Sequence, residues 1–464
     1  MSTVRRWLVL SALSFSTFAS AQSVMPAHTL IETIQQHSTS GTSVEPASTP
    51  AAMLMTEQHG WRLMLHGEGF VADTQQQARP PRNRDAFFST NWLMPMAQHA
   101  VGERGEFTAR AMFSLEPATI RRGDYPELFQ QGETANGAPI VDGQHPHNFV
   151  MELAAVYDLK LSKNTLLSLY AAPVGDPAIG PTAYPHRLSA SEDPIAALGH
   201  HQEDSTHIAF NVLTGGLTYR WVRVELSGFH GAEPTEARWH FQPSPNGHAI
   251  DSVATRLTIS PAADWTGQYS IAHITSPEAL YPGEDQQRQT ASVMYHHTFG
   301  SHAMPATPGM KMDDMAGMPN MDMSGGAHGD AMKMAPQPTA DLAATLVWGR
   351  TRSLTDDSKE NSYLAEARLR FATRNYVWAR LENAARTNEL LLAPGASLPS
   401  GFKEGPIGQL AAYTFGYDHD FALGPHLLAA PGAQVTAYRT PAALRPAYGA
   451  TPTAEQVFIR FRLR

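Results

Sequence analysis

Two short motifs rich in histidine stand on either side of a pair of strand-like segments. The first motif spans residues 142–148 and the second spans residues 200–207. Five of the chain's 21 histidines lie in them: His145, His147, His200, His201 and His207. Imidazoles with nearby carboxylates bind divalent metal ions, but they also form hydrogen-bonded networks that hold loops in place. Both interpretations stay open, because the spacing lacks a His-Glu-x-x-His pattern and the chain has no Cys.

A second group of candidate ligands lies in the segment 300–339, which contains nine of the chain's 19 methionines. Methionine usually fills a core, yet here its neighbours are Gly, Pro, Asp and Lys. Thioether sulfur prefers Cu(I) or a similar soft ion, and imidazole also binds copper. We therefore expect a copper ion as the cofactor, held by Met304, Met310, Met312, Met315, Met318, Met321, Met323, Met332 and Met334 with His302 and His328. The alternatives are an insertion without a ligand, or one that scavenges oxidant as sulfoxide.

Signatures of catalysis are sparse. The chain has no Gly-x-Ser-x-Gly elbow and no glycine-rich phosphate loop. His, Ser and Asp occur together in 201–207, but a catalytic triad is assembled from separate segments. The sequence therefore predicts a protein that is not an enzyme, with a barrel hydrolase as the alternative.

The N-terminus has the features of an export signal. Arg5 and Arg6 precede a short apolar run, and Ala19-Ser20-Ala21 forms an A-x-A cleavage site. We expect a signal peptide over 1–21, followed by a flexible periplasmic segment over 22–58 that is rich in Ser, Thr, Pro and Ala. No later stretch approaches 18 apolar residues, so a transmembrane helix is not expected. The acidic net charge of −9 argues against nucleic acid as a partner.

The elements that carry these residues alternate apolar and polar positions with a period of two. Residues 107–115 and 363–371 show the pattern, as does the C-terminal run 457–464. A soluble sheet and a transmembrane barrel both produce such strands. Strands of about 10 residues, mixed Arg and Glu on the polar face, and alternating short and long connections favour the barrel. We predict an all-β, antiparallel transmembrane outer-membrane β-barrel over 59–464, of about 16 strands (14–18).

Strand parity assigns each connection to one end of this barrel. An even strand number puts both termini in the periplasm, so the Met-rich insertion at 300–339 falls on the periplasmic side. The histidine motifs fall on external connections or just inside the mouth. We also predict a short turn at Gly215-Gly216, with Ile208, Phe210 and Val212 facing lipid.

The Met/His/Asp run resembles the methionine-rich segments of outer-membrane copper-resistance proteins of the B type. The resemblance lies in Met-Lys-Met-Asp-Asp-Met at 310–315 and Met-Pro-Asn-Met-Asp-Met at 318–323. That family joins a Met-rich periplasmic region, usually placed before the barrel, to a β-barrel. A second resemblance, to exported proteobacterial proteins that tend to accompany copper-handling genes, spans 61–67, 132–137, 145–148 and 200–207. Both resemblances imply copper homeostasis.

Three functions therefore follow as hypotheses. The first is an outer-membrane barrel of a Gram-negative bacterium that binds copper through its periplasmic Met/His-rich loop, in metal tolerance or efflux. The second is a general porin-like channel without a metal role, and the third is a barrel enzyme. The expected partners are outer-membrane lipid, the barrel-assembly machinery and periplasmic copper-handling proteins.

Overall fold

The computed structural model describes residues 27–36, 39–240, 247–300 and 339–463, without the side chain of Ser205. The predicted signal peptide, most of the Met-rich insertion and its candidate ligands lie outside these residues. No helix among the described residues is long and apolar enough to span a membrane.

The chain forms a closed antiparallel β-barrel of 16 strands. Each strand pairs with its neighbours in sequence, as in a meander. In chain order the strands are β1 Trp61–Gln77, β2 Arg84–Val101, β3 Gly105–Phe113, β4 Val150–Ser162, β5 Thr165–Gly175, β6 Ala209–Tyr219, β7 Val222–His230, β8 Ser252–Ala262, β9 Trp265–Ile274, β10 Gln286–Phe299, β11 Ala340–Ser353, β12 Lys359–Phe371, β13 Asn375–Thr387, β14 Pro406–His419, β15 Leu427–Arg439 and β16 Thr453–Leu463.

The barrel closes between its first and last strands. β1 pairs with β16 from Glu68↔Arg462 to Gln77↔Thr453. Below this ladder, a short strand at Leu54–Gln58 pairs with the start of β1 and continues the same edge. Closure leaves neither long edge strand unpaired, which is what a sheet requires when lipid surrounds it.

The outer surface of the barrel is apolar. Exposed large hydrophobic side chains occupy alternate strand positions, among them Leu226, Leu346, Leu381, Phe415 and Val457. Exposed aromatic side chains gather beside the even-numbered connections, at the end that also holds both termini: Tyr219, Trp221, Trp265, Phe299, Phe371 and Phe421. An apolar belt with an aromatic girdle is the surface of a membrane-spanning barrel.

The predicted strand number is confirmed, but the turn predicted at Gly215-Gly216 is wrong. Both glycines lie inside β6, and the chain turns at Arg220, whose φ is 55°. Gly216 is small for a packing reason, because a Cβ there would lie 3.1 Å from the Arg223 guanidinium in the lumen. The predicted end of β6 was therefore wrong because Gly216 makes room for Arg223 and does not form a turn.

The predicted lipid-facing set at the start of β6 is also wrong. Ile208, Phe210 and Val212 are buried on the lumen side. Asn211 has a φ of 54° at a register shift between Phe210 and Leu213, so β6 begins with a bulge. The outward apolar series of this strand starts only at Leu213.

The prediction that residues 22–58 are flexible is wrong for residues 39–53. Residues 39–53 are mostly buried inside the barrel. Backbone and side-chain hydrogen bonds tie this segment to the wall, such as Ser48 N to Ala263 O and Ser48 Oγ to His296 O. The small polar residues of this segment predicted disorder, but in the structure they form hydrogen bonds with polar groups of the lumen.

The first prediction concerns the lipid-facing belt. Leu346 lies at the middle of β11 with its side chain 60% exposed. Leu346→Arg should lower the free energy of unfolding by about 2–4 kcal/mol, because it places a cation at the bilayer midplane. Urea unfolding in lipid vesicles measures the change.

Leu354→Arg is the matched control, since Leu354 is also exposed but follows the end of β11. It should change stability by no more than about 1 kcal/mol. Equal effects of the two substitutions would place the middle of β11 outside the membrane.

Candidate functional site

The lumen of the barrel is filled by three parts of the same chain. These are the N-terminal segment 27–53, the third connection (114–149) and the fifth connection (176–208), and they are called the plug below. The fifth connection carries two single-turn 3-10 helices, Tyr184–His186 and Leu188–Ala190, and the short helix His200–Glu203. Inward-facing wall residues are correspondingly buried, including Arg223, Arg256, Arg380 and Arg460 at 1–2% exposure. In an open pore such side chains would face water.

Glu192 of the fifth connection is the centre of the charge network. Its Oε1 lies 3.5 Å from Arg368 Nη1, 3.5 Å from Arg460 Nη1 and 3.2 Å from Arg462 Nη1. These arginines come from β12 and β16, on the wall. Burial alone would raise the pKa of the Glu192 carboxyl, but the three guanidinium groups outweigh burial and hold it below its usual value.

Neighbouring pairs extend this network along the fifth connection. Asp193 Oδ2 lies 2.9 Å from Arg380 Nη1 on β13. In the opposite sense, Arg187 of the plug pairs with Glu366 on β12 at 2.6 Å and with Asp204 at 3.1 Å. The plug is therefore bound to the wall by ion pairs of both polarities, all of them buried.

The N-terminal segment joins the network through its backbone. Gly41 N donates to Glu152 Oε1 at 2.9 Å, and Arg110 Nη2 donates to Gly41 O at 2.6 Å. Arg110 and Glu152 themselves pair at 2.6 Å between β3 and β4. Gly41 has a φ of 58°, and a Cβ there would lie 2.6 Å from Asp176 Cβ, so this close approach requires glycine.

The two histidine motifs meet in the lumen at Glu133 of the third connection. Glu133 Oε1 lies 2.9 Å from His145 Nε2 and 3.1 Å from His201 Nε2. Burial alone would raise the pKa of Glu133, but the two imidazoles hold it well below its ordinary range. This carboxylate connects the third and fifth connections to each other.

The other three histidines of the motifs form a second contact. Ring centroids lie 5.5 Å apart for His147 and His207, and 5.2 Å apart for His200 and His207. His147 Nδ1 bonds to Glu116 at 2.9 Å and His207 Nδ1 bonds to the Asp204 carbonyl at 2.8 Å. Burial, together with His200 and His147, lowers the pKa of His207 to about 3, so this imidazole is neutral. His145 and His147 thus bind different carboxylates rather than acting as one pair.

The described residues do not include a preformed site for a divalent ion. Within them, no three His, Asp or Glu side chains are placed to hold a metal. The histidines of both motifs take part in the hydrogen-bonded network described above. The predicted ligands at 302–334 lie outside the described residues.

Sequence reasoning missed the acidic residues that organise the plug, Glu116, Glu133 and Glu192. Two partners of Glu192 are far away along the chain, Arg368 at 176 residues and Arg462 at 270 residues. It also missed a group of methionines on the lumen side of β1 to β4, which form one buried cluster. The period-two alternation places these methionines on the inward face, but it does not distinguish a ligand from a filler.

Comparisons with known proteins returned no matching family model and no matching curated protein. Solved structures similar to this chain include an anion-selective porin from Comamonas acidovorans, at 11% identity and a TM-score of 0.48, covering 87% of this chain and 99% of the porin. OmpF of Salmonella typhi in complex with daunomycin is similar at 10% identity and a TM-score of 0.49, covering 88% and 100%. Because these similarities are low, the assignment of a β-barrel is based on the closed ladder of paired strands.

The second prediction concerns Glu192. Glu192→Gln removes the carboxylate that Arg368, Arg460 and Arg462 share, so docking of the fifth connection should weaken by about 3–5 kcal/mol. Trypsin should then cleave after Arg187, which is buried while the plug is docked. Mass spectrometry of the fragments at neutral pH measures the change.

The same group gives a pH dependence with a defined sign. Because the docked pKa of Glu192 lies below its ordinary 4.5, its contribution is present above pH 4.5 and is lost as pH falls below it. Acid should loosen the plug of the wild type more than that of the Glu192→Gln variant.

The exposed ion pair of Asp357 supplies the control for trypsin cleavage, since Asp357→Asn should leave cleavage unchanged. Equal resistance of Glu192→Gln and wild type would contradict this role.

Proposed function

We propose that this chain is a porin-like outer-membrane barrel of a Gram-negative cell whose pathway is closed by its own plug. The observation that carries the proposal is the combination of an apolar exterior with a lumen in which wall arginines are paired to plug carboxylates. Lipid contacts the belt, and the barrel-assembly machinery inserts the protein. Any solute that passes needs the plug to move, so the barrel acts as a gated conduit.

Conductance in planar bilayers tests this function and is the third prediction. The full chain should show little conductance, because the lumen is occupied. Deletion of residues 39–50 removes the backbone partners of Arg110 and Glu152 and should raise conductance. A wild-type barrel that conducts as strongly as the deletion variant would overturn the gated pathway and favour an open, general porin.

We also propose copper handling as a second function, in metal tolerance or efflux, with periplasmic copper-handling proteins as partners. It is supported by the thioether-rich sequence 302–334. This sequence lies in the chain between β10, which ends, and β11, which begins, at the barrel end that holds the termini. At that end, soft ligands would meet copper on the periplasmic side. The plain porin-like function does not require this segment.

Deletion of 302–334 separates the two functions and is the fourth prediction. The variant should bind fewer Cu(I) ions in an anaerobic titration against a competing chelator, while its conductance stays at the wild-type level. Cells that carry it should also tolerate less copper. Unchanged Cu(I) binding would refute a metal role of the segment and leave the gated conduit intact.

A further inference from the structure

Methionines are concentrated at one place in the lumen. Of the eight methionines in the described ranges, seven belong to a single cluster, and only Met294 lies elsewhere. The cluster, called the methionine cluster below, consists of Met53, Met55, Met64, Met94, Met96, Met112 and Met151. The rest of the inward wall consists largely of Arg, Glu, Thr, Ser and Gln, so an accumulation of thioethers here needs an explanation.

Strand register produces the cluster. Met64 pairs with Met96 and His66 pairs with Met94 across β1 and β2. Because inward positions alternate, these four side chains share the lumen face of the two strands. β3 adds Met112, and the N-terminal segment adds Met53 from the plug side. Wall and plug therefore supply thioethers to the same volume.

Two histidines border the cluster with nitrogen atoms to spare. His186 Nε2 lies 3.2 Å from Met112 Sδ. The Nδ1 atoms of His186 and His66 are buried and have no hydrogen-bond partner among the described residues. Trp92 stands between them, with ring centroids 4.3 Å from His186 and 4.6 Å from His66. Buried imidazole nitrogens without partners are costly unless a ligand occupies them.

Some of these donors line a partly open cavity. Met53, His66, Trp92 and His186 all line one cavity of about 80 Å³. Because the Nε2 of His186 contacts Met112, its Nδ1 is the nitrogen available to an ion in the cavity. Two acidic side chains, Glu45 and Glu68, and one basic side chain, Arg462, also line the cavity. The local charge therefore does not exclude a monovalent cation.

We infer that this cavity is a binding site for a soft monovalent metal ion, Cu(I) or Ag(I), with Met53, His66 and His186 as ligands. Thioether and imidazole donors without thiolate select such ions over Zn²⁺ or Mg²⁺. The indole of Trp92 adds attraction for a cation at short range. The site goes beyond the proposed functions, because none of its residues belongs to 302–334 and it is formed whether or not the barrel conducts.

Methionine methyl NMR tests this inference as the fifth prediction. The full-length protein, labelled at its methionine methyl groups, is titrated with Ag(I) in detergent. The resonance of Met53, a ligand, and that of Met112, whose sulfur contacts His186, should shift, and that of Met294 should not. The variants Met112→Leu and Met53→Leu assign the two signals by removing them. Shifts confined to signals that disappear on deletion of 302–334, or no shift at all, would overturn the inference.

A Cu(I) competition titration gives the matching stoichiometry. Met53→Leu should remove about one equivalent of tightly bound Cu(I) per chain, since it deletes the ligand sulfur while nearly conserving volume. Met294→Leu is the control, because Met294 is equally buried but lies on β10 outside the cluster. Loss of the same equivalent in the control would assign the effect to general destabilisation. If the cavity binds no Cu(I), the proposals on conductance and on residues 302–334 are unaffected.

Discussion

The ion pairs between wall arginines and plug carboxylates are the interaction on which the structure depends. Glu192 alone faces Arg368, Arg460 and Arg462, and all of these groups are largely removed from water. A buried charge is tolerated only when it is paired, and Glu192 adds a plug carboxylate to arginines that the wall already pairs in part with Asp341 and Asp418. The same pairs give the plug one position, since guanidinium and carboxylate impose directional hydrogen bonds. Barrel interior and plug therefore specify each other.

This dependence explains why residues that look unstructured in the sequence are ordered. The N-terminal segment has few apolar side chains, yet it lies where Arg110, Glu152 and Arg256 need hydrogen-bond partners. Its backbone and hydroxyl groups supply them. Ordering this segment costs conformational entropy, and the free energy that offsets the cost comes from satisfying groups the wall has already buried.

The sequence predicted the barrel well because one rule, the period-two alternation, acts on every strand separately. The number of strands is confirmed, and the error at β6 arose where Gly216 makes room for Arg223. The interior was not predictable in the same way. The partners of Glu192 lie 176 and 270 residues away, and only the register of the closed ladder brings them to it. The histidine motifs were recognisable by composition, but their acceptors Glu116 and Glu133 carry no local signal.

The methionine cluster links the two aspects of the molecule, closure and soft-ligand chemistry. His66 belongs to the wall, while Met53 and His186 belong to two different parts of the plug. An ion held by all three would bind the closed arrangement and not an arrangement in which the plug has moved. Its binding would therefore stabilise closure by mass action, and closure would raise its affinity by the same factor. A lumen sealed by ion pairs alone lacks this dependence on a ligand, whereas one that also contains thioethers and unpartnered imidazoles has the means to respond to a soft metal.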